Sequence, residues 1–312
     1  MQCYYPIRAF QVKTGTPLFF SPQKNATAID IPCGKCIGCR LNQAQQWAIR
    51  SHHEAKCWPK NTFATLTYND EQLPADLNLQ PQHFTLFLKR LREHQQRKHN
   101  NKIRYMMCGE YGDLYSRPHY HAIIYNFEPD DLQHYKDTKA GHPVYTSETM
   151  DKLWRMGTTY WGNATYESAG YIARYVTKVF SNTKHTEIID VETGEIIQRV
   201  TPYADRSTHP GLGAEWIRKY GKTDAYSHDR IILDGKKLPV PRYYSKIQER
   251  EAPLYYHETK QKRRENADTK DNQLYETERE ATSNPWVDHK RLATHEQVKK
   301  AQIKSLRRHD DV

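Results

Sequence analysis

Residues 117–125 read RPHYHAIIY, and this stretch combines two histidines with the apolar run of a buried strand. Successive side chains of a strand point to opposite faces of a sheet. His119 and His121 are one residue apart, so both lie on the same face. Two imidazoles on one face are either packing neighbours or a pair of metal ligands, and the stretch alone leaves both interpretations open.

The segments around this stretch alternate between strand and helix patterns. Alternating β-branched and aromatic residues indicate strands, whereas apolar residues at helical spacing indicate amphipathic helices. From residue 62 the order is strand 62–68, a helix starting at Pro81, strand 103–110, the RPHYHAIIYNF strand, helix 148–156, a short strand at TTYWG and helix 164–180. The short loop between the two middle strands favours an antiparallel hairpin. The sequence therefore predicts an α+β fold in which helices pack on a central antiparallel sheet.

The composition divides the chain into four parts. Residues 1–60 carry the cysteine run PCGKCIGCR and a helix pattern in QAQQWAIRSHHEAKCW, and residues 61–182 hold the strand and helix core. Residues 183–257 form an accessory part, with a hairpin pattern around Thr193–Gly194 and a short helix pattern in PGLGAEWIRKYG. Residues 258–312 are rich in Lys, Arg and Glu, which predicts a charged tail that is solvated helix or disorder.

The charge balance favours a polyanionic partner. The chain has 47 Lys and Arg against 37 Asp and Glu, a net charge of +10, so nucleic acid is the first candidate. The 22 tyrosines and 6 tryptophans offer rings that stack on unpaired bases. The sequence has no apolar run of membrane-spanning length and no signal-peptide pattern at MQCYYPIRAF, so we expect a protein that neither spans a membrane nor is exported.

A carboxylate joins the two histidines through the predicted hairpin. Glu110 ends the strand before the turn, and His119 and His121 open the strand after it. Because a hairpin brings these two ends together, the three side chains are candidates for a single cation site. Such a mixed nitrogen and oxygen set suits Mn²⁺ or Mg²⁺ beside a phosphate and also accepts Zn²⁺.

The segment GYIARYVTK places two tyrosines and a lysine along one helix face. Tyr171 and Tyr175 are four residues apart, hence neighbours on the helix, and Lys178 follows nearly one turn later. The tyrosines either pack against the sheet or act as nucleophiles, since a tyrosine oxygen can attack a phosphodiester and keep its energy in a covalent bond. In that second interpretation Lys178 lowers the cost of the phenolate or of charge on the phosphate. Tyr166 on the same helix is the reserve candidate.

The cysteine run leaves three interpretations open. Cys33, Cys36 and Cys39 together with Cys3 offer four thiols, enough for a tetrahedral structural Zn²⁺ site. The spacing departs from paired CxxC knuckles and is similar to iron–sulfur ligation without the trailing Cys-Pro. Free thiols packed under a helix are the third interpretation. A disulfide framework is not expected, because no secretory signal precedes the run.

Basic residues cluster on and just after the helix that starts at Pro81. They either form a solvated helix surface or contact DNA phosphates. The candidate DNA-binding residues are Lys89, Arg90, Arg92, Arg97, Lys98, Lys102 and Arg104, together with Arg174 on the tyrosine helix.

The ordered segments TLTY, CGEYG, RPHYHAIIY and GYIARYVTK resemble the motifs of the HUH superfamily of single-strand endonucleases. Together with CGKCIGCRL, they are most similar to the rolling-circle replication initiation proteins of small single-stranded-DNA phages, the microviruses of gokushovirus type. HPGLG (209–213) and PRYYSK (241–246) extend the likeness. Three ordered motifs at domain-like spacing are far more specific than any one of them.

This resemblance implies an HUH endonuclease core over residues 61–182. Glu110, His119 and His121 would hold Mg²⁺ or Mn²⁺, and Tyr171 and Tyr175 would cut one strand at a replication origin with help from Lys178. One tyrosine would keep the 5′ phosphate covalently, and the second would allow the displaced strand to be closed into a circle.

The resemblance also implies partners and a place of action. They are single-stranded and origin double-stranded viral DNA, with a host helicase and polymerase, in the cytoplasm of a bacterial host. Two alternatives stay open, namely a transposase or plasmid replication protein of the same superfamily and a non-catalytic single-stranded-DNA binding or packaging protein.

Overall fold

The structure is a computed structural model that describes residues 3–12, 19–21, 24–112, 116–138, 140–178, 185–189, 196–263, 265 and 286–306. The chain forms two compact units, one from Met1–Gln43 with Glu258–Val312 and a larger one from Ala44–His257. The division into four parts by composition stays a prediction. None of the described helices is long and apolar enough to cross a membrane.

The elements alternate between strands and helices through most of the chain. In order they are β1 Ile7–Gln11, β2 Thr27–Ile31, α1 Ile37–Ala55, β3 Asn61–Thr67, α2 Pro81–His99, β4 Arg104–Tyr111, β5 Pro118–Tyr125, β6 Gln133–Asp137, β7 Pro143–Thr146, α3 Glu148–Trp154, β8 Thr159–Asn163, α4 Tyr166–Lys178, β9 His185–Ile189, β10 Ile196–Val200, β11 Tyr203–Arg206, α5 Ala214–Tyr220, a π-helical segment Gly221–Tyr226, β12 Ile231–Leu233, β13 Lys236–Leu238, α6 Arg242–Glu251, α7 253–263 and α8 Trp286–Leu306.

A seven-stranded antiparallel sheet lies at the centre of the larger unit, with the strand order β11-β4-β5-β3-β8-β7-β6. β4 and β5 form the predicted antiparallel hairpin, in register from Arg104 opposite Tyr125 to Tyr111 opposite Pro118. β5 also pairs with β3, so the strand that carries the two histidines has a hydrogen-bonded neighbour on each side. The predicted α+β fold with a central antiparallel sheet is confirmed.

Helices cover both faces of this sheet. On one face, Phe87 of α2 and Trp154 of α3 belong to the same buried cluster as Ala122 of β5. On the other face, Ile172 of α4 packs in a second buried cluster with Ile123 of β5. Because neighbouring residues of a strand point to opposite faces, odd-numbered residues of β5 lie toward α4 and even-numbered ones toward α2.

Local signals explain where the helices begin and end. Pro81 occupies the start of α2, where its missing N–H costs nothing, and Asn100 ends the helix in the left-handed conformation with φ 52°. The Ser147 side chain accepts a hydrogen bond from the Met150 backbone N–H and so caps α3. These features agree with the helix that the sequence predicts at Pro81.

Several elements differ from the sequence prediction. α1 begins at Ile37, before the predicted QAQQW pattern, and so includes Cys39. β6 was not predicted because all of its side chains are exposed, so it lacks the alternation that reveals a half-buried strand. β9 and β10 form the predicted antiparallel pair, whereas its turn, residues 190–195, lies outside the described residues.

A buried ion pair joins α1, β4 and the loop before α5. Arg104 Nε lies 2.6 Å from Glu54 Oε1, and the two side chains are 13% and 1% exposed. The guanidinium also donates to the carbonyl of Pro210 at 2.6 Å, and Glu54 Oε2 accepts the backbone N–H of Gly213 at 2.7 Å. Arg104 thus serves the fold, and the DNA-binding role suggested for it stays a prediction.

We expect the Arg104→Met variant to lose about 3–5 kcal/mol of unfolding free energy, because the Glu54 carboxylate is left buried without its cation. Urea denaturation measures this change. The matched control is Lys89→Met, since Lys89 is exposed on α2 and its replacement should change stability by less than about 0.5 kcal/mol. Equal stability of the two variants would contradict a structural role for Arg104.

Candidate active site on one face of the sheet

The hairpin register places three potential ligands together. Glu110 and His119 are direct partners across β4 and β5, and His121 follows two residues later on the same face. The ligand atoms of these three side chains all lie within 4.8 Å of one another. The structure thus brings together the residues that the sequence suggests as ligands, and their binding of a metal stays a prediction.

Both imidazoles approach the same carboxylate oxygen. His121 Nε2 lies 2.9 Å and His119 Nε2 3.2 Å from Glu110 Oε1. The Glu110 side chain is 4% exposed, whereas His119 is 19% exposed and gives the cluster access to solvent. The two imidazole rings are perpendicular, with centroids 4.9 Å apart, so their Nε2 atoms approach the oxygen from different directions.

Two further groups orient the imidazole rings. His119 Nδ1 lies 3.2 Å from the carbonyl oxygen of Arg117, which can only accept, so Nδ1 carries a proton there. His121 Nδ1 lies 2.9 Å from the Thr65 hydroxyl on the adjacent strand β3. Such contacts at the distal nitrogen fix the ring orientation and the tautomer of a metal-binding histidine.

The donor set fits a divalent cation. With its proton on Nδ1, a neutral His119 directs the Nε2 lone pair at a carboxylate oxygen, and two acceptors at this distance need a proton or a cation between them. Neighbouring ligands of an octahedral ion with bonds of 2.0–2.1 Å are about 3.0 Å apart. The separations of 2.9 and 3.2 Å between Glu110 Oε1 and the imidazole nitrogens match that spacing.

The protonation states also suit ligation. Burial alone would raise the pKa of Glu110, but hydrogen bonds with His119, His121 and Tyr171 hold this pKa well below its usual range. Burial lowers the pKa of His121 despite the neighbouring carboxylate. At neutral pH the carboxylate is therefore ionised and His121 favours the neutral form, the states in which these groups bind metal ions.

α4 places a tyrosine hydroxyl at the same carboxylate. The Tyr171 hydroxyl donates a hydrogen bond to Glu110 Oε1, the oxygen that both imidazoles approach. The Tyr171 ring lies edge-on to His121 with centroids 5.1 Å apart, and the Arg174 guanidinium carbon lies 5.5 Å from the Tyr171 ring centroid. Two histidines, a carboxylate and a phenol therefore meet at one point on the α4 face.

Comparisons with known proteins place the chain in a family. Residues 61–180 match the model of a family of phage-type replication-associated proteins, described by the name ORF2. The chain is 39% identical over 251 residues to Replication-associated protein VP4 of Bdellovibrio phage phiMH2K, which covers 78% of this chain and 76% of that protein. The chain belongs to the phage replication-associated proteins.

Two further phage replication-associated proteins are similar to the chain. It is 32% identical over 272 residues to Replication-associated protein ORF2 of Spiroplasma virus 4, covering 80% of this chain and 81% of the relative. It is 29% identical over 225 residues to Replication-associated protein ORF4 of Chlamydia phage 1, covering 70% and 53%. No solved structure gave a significant match. The candidate site lies wholly inside the range that matches the family.

The remaining candidate nucleophiles of this family member lie elsewhere on α4. Tyr175 and Lys178 belong to the last turns of the helix, but their side chains lie outside the described residues. Their roles stay predictions. Tyr166 packs partly buried in a different cluster, with Ile49, and its ring lies 6.0 Å from that of His52.

Most of the basic residues suggested for DNA contact lie on α2, on the opposite face of the sheet from the site. Arg90 donates to the carbonyls of Leu153 and Trp154, where it satisfies the end of α3. Lys98 pairs with Asp130 at 2.8 Å. The residues of this group that are exposed are Lys89, Arg92, Arg97, Lys98 and Lys102, and Arg174 is exposed on α4.

A cleft of about 440 Å³ lies beside α2 and α3. Its lining is mainly cationic, with Arg90, Arg97, Lys98 and Arg155 against a single acidic residue, Glu93. A cleft of this charge suits a phosphate-bearing ligand. DNA contact by the α2 residues stays a prediction.

The sequence analysis missed Thr65 as part of the site. Thr65 begins the TLTY segment, and only the register of β3 against β5 shows that it lies directly opposite His121. Strand periodicity places a threonine on a face, but it does not show which histidine the hydroxyl contacts.

We expect Thr65→Val to weaken Mn²⁺ binding by roughly tenfold, because the loss of a hydrogen bond behind a ligating histidine typically costs 10–100-fold in metal affinity. Isothermal titration calorimetry measures the affinity. Thr67→Val is the matched control, since this hydroxyl on the same strand donates to the Thr158 carbonyl rather than to a candidate ligand. Native affinity in Thr65→Val would show that the hydroxyl does not orient the metal site.

Proposed function

We propose that this phage replication-associated protein starts rolling-circle replication as an HUH-type nickase that cuts one DNA strand at the origin through a tyrosine. Its relatives carry names that place them in phage replication. The net charge of +10 favours a nucleic acid partner.

One observation carries the proposal. Glu110 Oε1 is approached by His119 Nε2, His121 Nε2 and the Tyr171 hydroxyl at once. Polar groups that serve only packing are usually paired one to one in a core, whereas this carboxylate gathers three polar groups of different chemistry beside a solvent-accessible imidazole. A nucleophile beside a carboxylate and two imidazoles is the set of groups that phosphoryl transfer needs.

Glu110, His119 and His121 would hold a Mg²⁺ or Mn²⁺ ion. When bound, this ion supplies positive charge that stabilises the negative charge building up on the phosphate oxygens. The protein's own contribution is to keep the carboxylate ionised, orient both imidazoles through their Nδ1 atoms and place the phenol next to them.

In the cutting step, the Tyr171 oxygen attacks the phosphorus of the scissile phosphodiester. A bond forms between this oxygen and phosphorus, and the bond from phosphorus to the 3′ oxygen breaks. The phenol loses its proton and the released 3′ oxygen gains one, so the products are a 5′-phosphotyrosine and a free 3′ hydroxyl. One phosphodiester replaces another, so no nucleotide hydrolysis is required.

Closing a circle requires a second nucleophile. Tyr175 lies one helical turn after Tyr171, so the two residues share a face of α4. We propose that Tyr175 cuts the regenerated origin while Tyr171 still holds the first 5′ phosphate. The newly freed 3′ hydroxyl then attacks the Tyr171 phosphotyrosine, restores the phenol and joins the strand. In this scheme Lys178 balances charge near the second tyrosine, and the exposed basic residues of α2 and α4 hold the DNA.

The proposal implies partners beyond the DNA. The free 3′ hydroxyl is a primer for a polymerase, and the duplex ahead must be opened by a helicase. Both would come from the bacterial host, which places the reaction in the host cytoplasm.

We expect the Tyr171→Phe variant to form covalent adduct with origin single-stranded DNA at least about 100-fold more slowly than the native chain, because the ring is kept but the nucleophile is removed. The measurement uses a 3′-labelled oligonucleotide, Mn²⁺ and a denaturing gel, with peptide mapping of the adduct. Tyr175→Phe should still form the first adduct and fail to release closed circles.

The matched control is Tyr166→Phe on the same helix, which should keep both activities because this ring packs in another cluster. Native adduct formation by Tyr171→Phe would place the nucleophile elsewhere. DNA retardation by the native chain with no covalent adduct would instead identify a non-catalytic binding protein.

A further inference from the structure

Four cysteine sulfurs lie together in the smaller unit of the chain. The Sγ atoms of Cys3, Cys33, Cys36 and Cys39 are all within 4.8 Å of one another. Cys36 is buried and the other three are partly buried. These residues take no part in the chemistry proposed above, so the cluster needs an explanation of its own.

The sulfur spacing fits a single tetrahedral ion. With Zn–S bonds of about 2.3 Å, two sulfurs of a tetrahedral site are about 3.8 Å apart. Cys36 Sγ and Cys3 Sγ are 3.9 Å apart. A disulfide would need about 2.05 Å, and an iron–sulfur cluster distributes its cysteines over more than one iron atom. The geometry therefore favours one ion among the interpretations that the sequence left open.

Backbone amides stabilise negative charge on the sulfurs. The N–H groups of Cys36 and Cys33 point at Cys33 Sγ and Cys3 Sγ, each at 3.3 Å. Cys36 Sγ receives two more, from Tyr4 at 3.4 Å and Cys39 at 3.5 Å. Gly34 has φ +75°, a conformation that lets the chain turn between the first two cysteines of the run. Cys39 lies in the first turn of α1, where the helix dipole also favours a thiolate.

We infer that Cys3, Cys33, Cys36 and Cys39 bind one Zn²⁺ ion as four thiolates. Binding releases the thiol protons to solvent and involves no oxidation or reduction. Four protein ligands complete a tetrahedral shell, so the site is structural, with no open position for a substrate. Its effect is to fix residue 3 against the start of α1.

The zinc site also prepares the surface on which the C-terminal helix docks. Glu296 of α8 is 4% exposed. Its Oε1 accepts the backbone N–H of Ile37 at 3.4 Å, and its Oε2 accepts the Tyr5 hydroxyl at 2.9 Å. Ile37 directly follows Cys36, and Tyr5 lies two residues after Cys3. Both partners of this buried carboxylate are therefore held next to zinc ligands.

Metal analysis and X-ray absorption of the native full-length chain test the site without any variant. We expect about one zinc per chain, with a first shell of four sulfurs at about 2.3 Å. Folded, active protein that contains no zinc, or a first shell of nitrogen and oxygen only, overturns the inference.

Variants separate this site from the candidate active site. Cys36→Ser should lose the zinc, whereas Cys57→Ser should retain it because Cys57 lies outside the cluster and contacts the His53 carbonyl. The double variant His119→Ala, His121→Ala should retain the sulfur-bound zinc and lose only cleavage. Loss of that zinc from the histidine variant, or its retention in Cys36→Ser, contradicts the assignment.

Hydrogen exchange tests the link to α8. Removal of zinc by a chelator should raise amide exchange over residues 292–303 at least about tenfold, since docking contacts protect the helix. Glu296→Gln should keep the zinc and show the same faster exchange. Unchanged exchange after complete zinc removal would refute the dependence of docking on the metal.

Discussion

The register of the β4–β5 hairpin is the constraint on which the candidate site depends. Glu110 faces His119 directly, and a slip by one residue would move the carboxylate to the opposite face of the sheet. The same strand pairs with β3 on its other side, which puts the Thr65 hydroxyl at His121. Two registers, rather than any one side chain, therefore determine the position of every group around Glu110.

The opposite face of β5 fixes that register. Tyr120 lies between the two histidines in sequence and is fully buried on the α2 face. Its hydroxyl contacts the Tyr68 hydroxyl at 2.9 Å and donates to the Gln80 carbonyl at 2.8 Å. A register slip would expose this ring and break both contacts, so the packed core on one face keeps the chemistry on the other face in place.

Much of this arrangement could be predicted from the sequence, because the decisive signals are short in range. Alternation along β5 predicts that His119 and His121 share a face, and a short loop predicts the hairpin that brings Glu110 to them. The contact of Tyr171 with Glu110 depends on how α4 packs on the sheet, which residue spacing does not specify. Sequence counts also treat all cations alike, whereas the fold engages Arg90 and Arg104 in internal contacts and leaves Lys89 exposed. Exposed strands such as β6 are held by backbone hydrogen bonds and so leave no hydrophobic pattern to detect.

The central claim is that one sheet face assembles a metal site next to the Tyr171 hydroxyl. Crystals grown with Mn²⁺ and recorded at the manganese absorption edge test it most directly, because anomalous scattering locates the ion independently of the protein atoms. The account predicts a peak bonded to Nε2 of His119, Nε2 of His121 and a carboxylate oxygen of Glu110, with the Tyr171 oxygen beside it. A manganese peak held by other residues, with Glu110 still hydrogen-bonded to both imidazoles, would contradict it.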